Sequence, residues 1–457
     1  MYFEQVYDKT LAQASYFIGC QAKGVAIVID PKRDVDTYLE IAKANNMRIT
    51  HIAETHIHAD FLSGSRELAA LSGAKIYLSD EGGRDWQYEF EHIGLRNGSK
   101  INVGNLSLDV IHTPGHTPES ISFLLTDHPA SEHPVMLFTG DFVFVGDVGR
   151  PDLLEEVAGV VGSKDEGAKQ LFDSLKKFKE LPDYLQVWPG HGAGSACGKA
   201  LGSVASTTVG YEKIRNWALQ FGDDFEGFKK ELLKDQPEAP HYFSMMKKLN
   251  KVDRDLLTEV PEHPSISVEE IASGDFVVDT RHKNRFAEGH LPNSINIQNN
   301  KSFANWMGWM ANYKQPIAIV ADAEEKELIT RKLMRIGMDN IKGFITEIHE
   351  ETLCRTNVVG LEEVEEMLAD SNVTILDVRN AKEYSEGHIA DAKHYFVGKM
   401  AKQLPNLPKE NSVVVLCQAG DRSTIAASYL EANGFKNVYN YSGSMKDWLE
   451  HGKAVVV

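Results

Sequence analysis

Cysteine is scarce: four in 457 residues, Cys20, Cys197, Cys354 and Cys417, each alone in its stretch. Isolated cysteines exclude a disulfide framework and fit a reducing compartment. Positive charge is also in deficit, 48 Lys and Arg against 66 Asp and Glu, for a net charge of −18. A chain this acidic lacks the basic face that nucleic acid or an anionic membrane surface requires. No apolar run approaches the roughly 20 residues that span a bilayer. The opening stretch "MYFEQVYDKT" has no basic segment followed by an apolar one, so no secretory signal is expected. These absences leave a cytoplasmic protein without membrane or nucleic-acid partners, expected to be a homo-oligomer.

What is present organises the chain into about three domains at ~150 residues each. The first ~250 residues alternate apolar strands ("GVAIVID", "ISFLLTD", "PVMLFTGDFVF") with amphipathic helices such as "DVDTYLEIAKANN". "LTEVPEHPS", Leu257 to Ser265, has two prolines and no periodicity and reads as a linker. Beyond it "VVDTRHKNRFAEGHLPNSINI" and "ILDVRNAKEYSEGHIADAKHY" repeat with a constant shift of 98, pairing Asp279 and Arg281 with Asp377 and Arg379. Two copies at this period mean duplicated domains. The expected boundaries are 1–257, 264–352 and 356–457, an α/β multidomain chain.

Ligand-type residues cluster past strand ends in the first region. "ETHIHADFLSGS" carries His56, His58 and Asp60, "HTPGHT" carries His112 and His116, "FTGD" ends at Asp141, "GRPD" holds Arg150 and Asp152, and "PGHG" holds His191. Any one histidine here could be a satisfied structural residue. The ordered set, each member at a strand-to-loop junction, points to a metal site. Phe61 follows Asp60 where a further imidazole would complete a second site.

The series THxHAD, PGHT, TGD, GRxD resembles the metallo-β-lactamase fold, an αββα sandwich, and within it the persulfide dioxygenases. The resemblance covers about the first 250 residues. It implies His56, His116 and Asp141 as ligands, with His58, Asp60 and His191 as supporting groups or a vestigial second site. Two imidazoles and a carboxylate form the facial triad of mononuclear non-haem Fe(II) oxygenases, although zinc accepts the same atoms. Asp60 and His191 without a ligand at Phe61 make a poor second site. Cys197 reads either as a small buried cysteine or as a thiol relaying sulfane sulfur. Arg150, Asp152, Lys199, Tyr211 and Arg215 are candidate substrate contacts.

"VVVLCQAGDRSTIAASYL" is a buried strand, a turn and a helix start. Loop amides and the helix N-terminus form an anion nest that stabilises a Cys417 thiolate as nucleophile. Arg422, five residues on, closes the cradle. Gln418, Gly420, Asp421 and Ser423 complete the loop as substrate contacts. The Arg spacing and "DVR…YSEGHI" resemble the rhodanese sulfurtransferases, α/β domains with a central parallel sheet, from roughly Thr356 onward. Family loops often carry a basic residue after the cysteine; here Gln418 and Asp421 make the cradle less cationic, favouring a thiol persulfide over thiosulfate as donor. Aligning "IAIVADAEEKE" on "VVVLCQAGDRS" puts Ala321 at the cysteine position and acids Glu324 and Glu325 in the cradle. The first copy therefore resembles a silent rhodanese domain and is expected to be a spacer.

The resemblances together imply a bifunctional sulfide-detoxifying enzyme. Iron would serve oxidation of a low-molecular-weight thiol persulfide by O2 to sulfite, and Cys417 would pass sulfane sulfur to sulfite as thiosulfate. The alternatives are a zinc-dependent glyoxalase-II-like thioester hydrolase fused to a sulfurtransferase, and a non-enzymatic persulfide sensor.

Overall fold

A computed structural model describes residues 1–153, 155, 163–193, 195, 197–198, 202, 204–349 and 353–457. The chain divides into two compact units, Met1–Val260 with Met334–Gly337, and Pro261–Leu333 with Met338–Val457.

The first unit is built on two six-stranded sheets. One runs in the order β1 (Tyr2–Asp8), β2 (Gln13–Cys20), β3 (Val25–Ile29), β4 (Arg48–Ala53), β5 (Lys75–Ser79), β6 (Ile93–Leu95). The other contains β7 (Lys100–Val103), β8 (Leu106–His112), β9 (Ile121–Asp127), β10 (Met136–Gly140), β11 (Gln186–Pro189) and β12 (Thr207–Thr208), ordered from β12 back to β7. Their inner faces meet in one apolar layer: Tyr16 and Ile18 from β2 and Ile27 from β3 pack with Leu108, Phe123 and Phe138. Truncating Phe138 in such a layer costs about 3–5 kcal/mol.

Helices cover the outer faces. In Ser163–Glu180 the residues Ala168, Leu171, Phe172, Leu175 and Phe178 form a buried stripe at helical spacing against Leu137 and Val187. Asp165 and Glu166 in its first turn and Lys177 and Lys179 in its last complement the helix dipole. On the other face Tyr38 and Ala42 of Asp36–Ala44 and Leu68 of Ser65–Ser72 pack on Phe17 and Val28. The result is a four-layer αββα sandwich. Neither β1 nor β2 is apparent from the sequence pattern. β2 is buried along its whole length, so it shows no alternation to read.

The second unit holds two parallel sheets. The first orders β14 (Ile295–Asn296), β13 (Phe276–Asp279), β15 (Ile317–Val320), β16 (Ile341–Ile345). The second orders β17 (Asn357–Val359), β21 (Asn437–Tyr441), β20 (Ser412–Leu416), β18 (Val373–Asp377), β19 (Lys393–His394). All their pairings are parallel, which the crossover helices require. Among the described residues no helix is long and apolar enough to cross a membrane, and the four cysteines are free.

Candidate metal centre and cysteine loop

The loops after β4, β8 and β10 bring His56, His116 and Asp141 together, fully buried, with one ligand atom from each within 4.8 Å of the others. His56 Nε2 and His116 Nε2 lie 3.9 Å and 3.6 Å from Asp141 Oδ2. His56 Nε2 and Asp141 Oδ2 have no hydrogen-bond partner. A buried bare lone pair facing a bare carboxylate oxygen is costly unless a cation lies between them.

The surrounding hydrogen bonds fix the histidine tautomers. The Thr55 hydroxyl donates to Asp30 Oδ2 at 2.8 Å, so its oxygen accepts from His56 Nδ1 at 2.9 Å. His116 Nδ1 donates to the Arg150 carbonyl at 2.9 Å. Both rings therefore turn an unprotonated Nε2 toward Asp141, the form a metal ligand needs. Burial, then the charge of His58, holds His56 well below the ordinary histidine range. Burial lowers His116 as well. Gly140, with φ of +51°, allows the close approach of Thr55, whose Oγ1 would lie 2.4 Å from an added Cβ.

Asp141 is oriented by His191, whose Nδ1 donates to Oδ1 at 2.7 Å while its Nε2 donates to Asp60 Oδ2 at 2.7 Å. Burial opposes the charge on His191, yet the two carboxylates hold its pKa well above the usual range. Burial likewise opposes ionisation of Asp141, and the charge and hydrogen bond of His191 outweigh it, so the carboxyl stays below the ordinary range. His58 turns away to Asp30, 3.1 Å from its Oδ1, and packs at a tilt against the fully buried Phe61 with ring centroids 4.4 Å apart. Its pKa is pushed up to about 9, burial being outweighed by Asp30 and then Glu54.

The ligand count for a second site needs correction. Cys197 joins Asp60 and His191, with ligand atoms within 4.8 Å of one another, and supplies the third donor that Phe61 does not. An ion there would have to displace the Asp60–His191 hydrogen bond. Burial, then the charges of Asp141 and Asp60, pushes the Cys197 thiol well above its ordinary range, which disfavours a free nucleophile at this position.

The candidate substrate contacts scatter. Arg150 is fully buried; its Nε donates to Asp152 Oδ1 at 2.9 Å, its Nη2 to the other carboxylate oxygen and its Nη1 to the Pro237 carbonyl at 2.6 Å. The pair thus contributes the carbonyl that anchors His116, and the guanidinium is committed within the fold, contrary to the substrate-contact expectation. His112 donates from Nε2 to the Pro118 carbonyl and stands outside the triad. Tyr211 and Arg215 are exposed on the helix Val209–Arg215 and stack on each other, with 5.8 Å from guanidinium to ring. Lys199 lies outside the described residues.

In the second unit, Cys417 is buried at the end of β20. The Gly420 amide donates to its Sγ at 3.1 Å, and Ser444 Oγ lies 3.8 Å from the same sulfur while accepting from the Cys417 amide. Ser423 caps the loop through Gly420 O. Asp421 is half exposed, and Gln418 is exposed at the loop rim. Arg422 donates to both carboxylate oxygens of Glu383 at 2.6 Å, an anchor the sequence reading lacked. Burial would raise Glu383, but Arg422 lowers it overall. Arg379 donates to Asp377 and to the Gly387 carbonyl, fixing the strand-to-helix turn. Ala321 occupies the equivalent of the cysteine in the first copy.

Residues 9–191 match the family model of the Metallo-beta-lactamase superfamily, and 267–349 and 360–451 match the Rhodanese-like domain. The crystal structure of a metallo-beta-lactamase from Staphylococcus aureus superposes with a TM-score of 0.71 at 46% identity, covering 75% of this chain and 98% of that one. The chain belongs to the metallo-β-lactamase superfamily. Two rhodanese-like domains follow its metallo-β-lactamase domain. That domain is 28% identical over 196 residues to the mitochondrial persulfide dioxygenase of Bos taurus, covering 41% of this chain and 66% of the relative. It is also 32% identical over 176 residues to a hydroxyacylglutathione hydrolase of Rhodospirillum rubrum, covering 38% of this chain and 60% of the relative. The persulfide dioxygenase likeness and the rhodanese-like domains support a role in sulfur metabolism in general, beside a His and Asp site suited to a metal, and the chain spans 60–66% of the length of these two curated relatives.

Proposed function

We propose that the protein oxidises low-molecular-weight thiol persulfides with O2 at a mononuclear iron held by His56, His116 and Asp141, and converts the sulfite formed to thiosulfate through Cys417. The observation that carries this reading is the two-histidine, one-carboxylate set with both tautomers fixed. Ferrous iron bound there would supply the redox chemistry and leave positions for O2 and a substrate sulfur. His191 keeps Asp141 ionised and aimed, while Thr55 and the Arg150 carbonyl keep the imidazoles aimed. The overall reaction, RSSH with O2 and water to RSH, sulfite and two protons, balances. A cleft of about 530 Å3, walled by Arg84, Trp86, His112, Pro118 and Lys247, adjoins the loop carrying His116. Lys247 sits 3.6 Å from the Trp86 ring centroid, and the cleft sets Arg84 and Lys247 against Asp85 and Glu166, a mixed-charge lining for the zwitterionic part of a carrier thiol.

At the second site the Cys417 thiolate attacks the sulfane sulfur of RSSH, the S–S bond breaks, and RS− leaves with a proton as RSH. Sulfite then attacks the outer sulfur of Cys417–S–SH, releasing thiosulfate and the thiol. One chain bearing both sites raises the effective concentration of sulfite near its acceptor.

Iron analysis together with O2 uptake on a panel of persulfides tests the first half. One iron per chain and sulfite formation are expected, and His116→Ala should lose both; bound zinc with no O2 uptake overturns the proposal. A second reading, a zinc thioester hydrolase, draws on the Asp60, His191 and Cys197 trio and predicts two zinc ions per chain with turnover of acylated thiols.

A further inference from the structure

The spacer role expected for the silent rhodanese copy leaves one contact unexplained. Lys283, in the first turn of its helix Lys283–Glu288, extends across the second unit to the loop of the active copy. Its Nζ donates to the Ala419 carbonyl at 2.6 Å and to Asp421 Oδ1 at 2.9 Å. The side chain is 19% exposed, and Gln298 of the same copy also donates to Asp421 Oδ1, at 3.2 Å.

The geometry of one peptide group gives this contact its meaning. Ala419 C=O and Gly420 N–H belong to the same planar trans unit, so they point in opposite directions. The N–H side donates to Cys417 Sγ at 3.1 Å, and the C=O side is the one Lys283 grips. Gly420 has φ of +93°, a conformation glycine adopts freely, and without a Cβ its flanking peptide can flip with little steric cost. An added Cβ at Gly420 would also lie 2.3 Å from Ser442 O and 2.6 Å from Lys283 Nζ, so the position must remain glycine. An ammonium on the carbonyl oxygen pins the peptide plane and polarises its N–H toward the sulfur.

We infer that the silent rhodanese copy completes the sulfur-transfer site: Lys283 is a positioning residue that latches the Ala419–Gly420 peptide with its N–H on Cys417. The lysine acts from the far side of that peptide, where it also pairs with Asp421. The inference rests on the proposed use of Cys417 as nucleophile, but its test is separable from sulfur transfer.

The full-length protein carrying Cys354→Ser, which removes the exposed cysteine, is alkylated with iodoacetamide at neutral pH, and Cys417 modification is followed by peptide mass. Lys283→Met should slow Cys417 alkylation about tenfold, the scale of one hydrogen bond to a charged group. Lys283→Arg should return it to within about threefold. The double variant Lys283→Met with Asp421→Asn should stay slow, because the latch works through the Ala419 carbonyl. An unchanged rate in Lys283→Met overturns the inference, as does recovery in the double variant, which would reduce the lysine to cancelling an acid. Slow alkylation in a protein whose parent makes no thiosulfate would retain the latch and remove the proposed transfer reaction.

Discussion

The two rhodanese copies share a scaffold and invert its charges. In both, an arginine two residues past the end of a strand, β13 or β18, clasps the aspartate at that end and a glycine carbonyl: Arg281 to Asp279 and Gly289, Arg379 to Asp377 and Gly387, each with 2.6 Å and 2.8 Å contacts from Nη2. In both, the histidine of the "EGH" segment stacks on an aromatic ring four residues earlier, His290 on Phe286 at 3.8 Å and His388 on Tyr384 at 3.7 Å. The loops then part. In the active copy the helix residue Glu383 holds the loop cation Arg422, whereas in the silent copy its equivalent, Arg285, holds the loop anion Asp322. Glu325 accepts from Asn299. The same pair of elements is tied by an ion pair of opposite polarity, so the scaffold is kept where Ala321 replaces the cysteine. What separates the copies is the charge presented to an anion.

The largest effect should come from Cys417→Ser: thiosulfate formation falls at least about 100-fold while O2 uptake continues and sulfite accumulates. Adding Ala321→Cys to that variant should restore no transfer, since the silent loop lacks the cationic cradle; measurable thiosulfate would break the comparison. Next, Arg379→Met and Arg281→Met each leave a buried carboxylate unpaired and should each destabilise their own copy by about 3–5 kcal/mol in denaturant unfolding. Unequal losses would show that the shared clasp does different work in the two copies.

A sharper contrast follows from the inverted ion pairs. Glu383→Gln should slow sulfur transfer about tenfold by releasing Arg422 from its aim. Arg285→Gln removes a pair that is 52% and 39% exposed, and should change neither transfer nor stability beyond about 0.5 kcal/mol. A further small effect is a titration confined to the second copy. Burial pushes Glu431 from 4.5 up to about 7. Its folded pKa is raised, so its contribution to stability is present below the ordinary carboxylate range and is lost as pH rises through about 7. Between pH 6 and 8 the parent's Tm should fall about 1–2 °C more than that of Glu431→Gln.

The strand-end motifs made the ligand set legible: "THIHAD", "PGHT" and "FTGD" each deliver a residue from a strand that hydrophobic pattern alone reveals. The duplication was equally plain from its constant offset. Hidden were β2, whose complete burial removes alternation, and the commitment of Arg150 to Asp152. Glu383 and Ser444 were invisible as partners of the cysteine loop because they approach it from other strands' connections. A hydrogen bond between residues 39 or 27 apart leaves no local signature.

Residue type and local order by themselves determined which atoms can donate to a metal, which cysteine has a nest around it, and that Ala321 cannot be a nucleophile. Those are properties of side-chain chemistry and short-range spacing. Only the tertiary structure decided which nitrogen of His56 and His116 is bare, that Cys197 meets Asp60 and His191, and that Lys283 reaches the loop of the other copy. Each depends on where distant segments come to rest, and packing of the whole core sets that position to within the reach of a hydrogen bond.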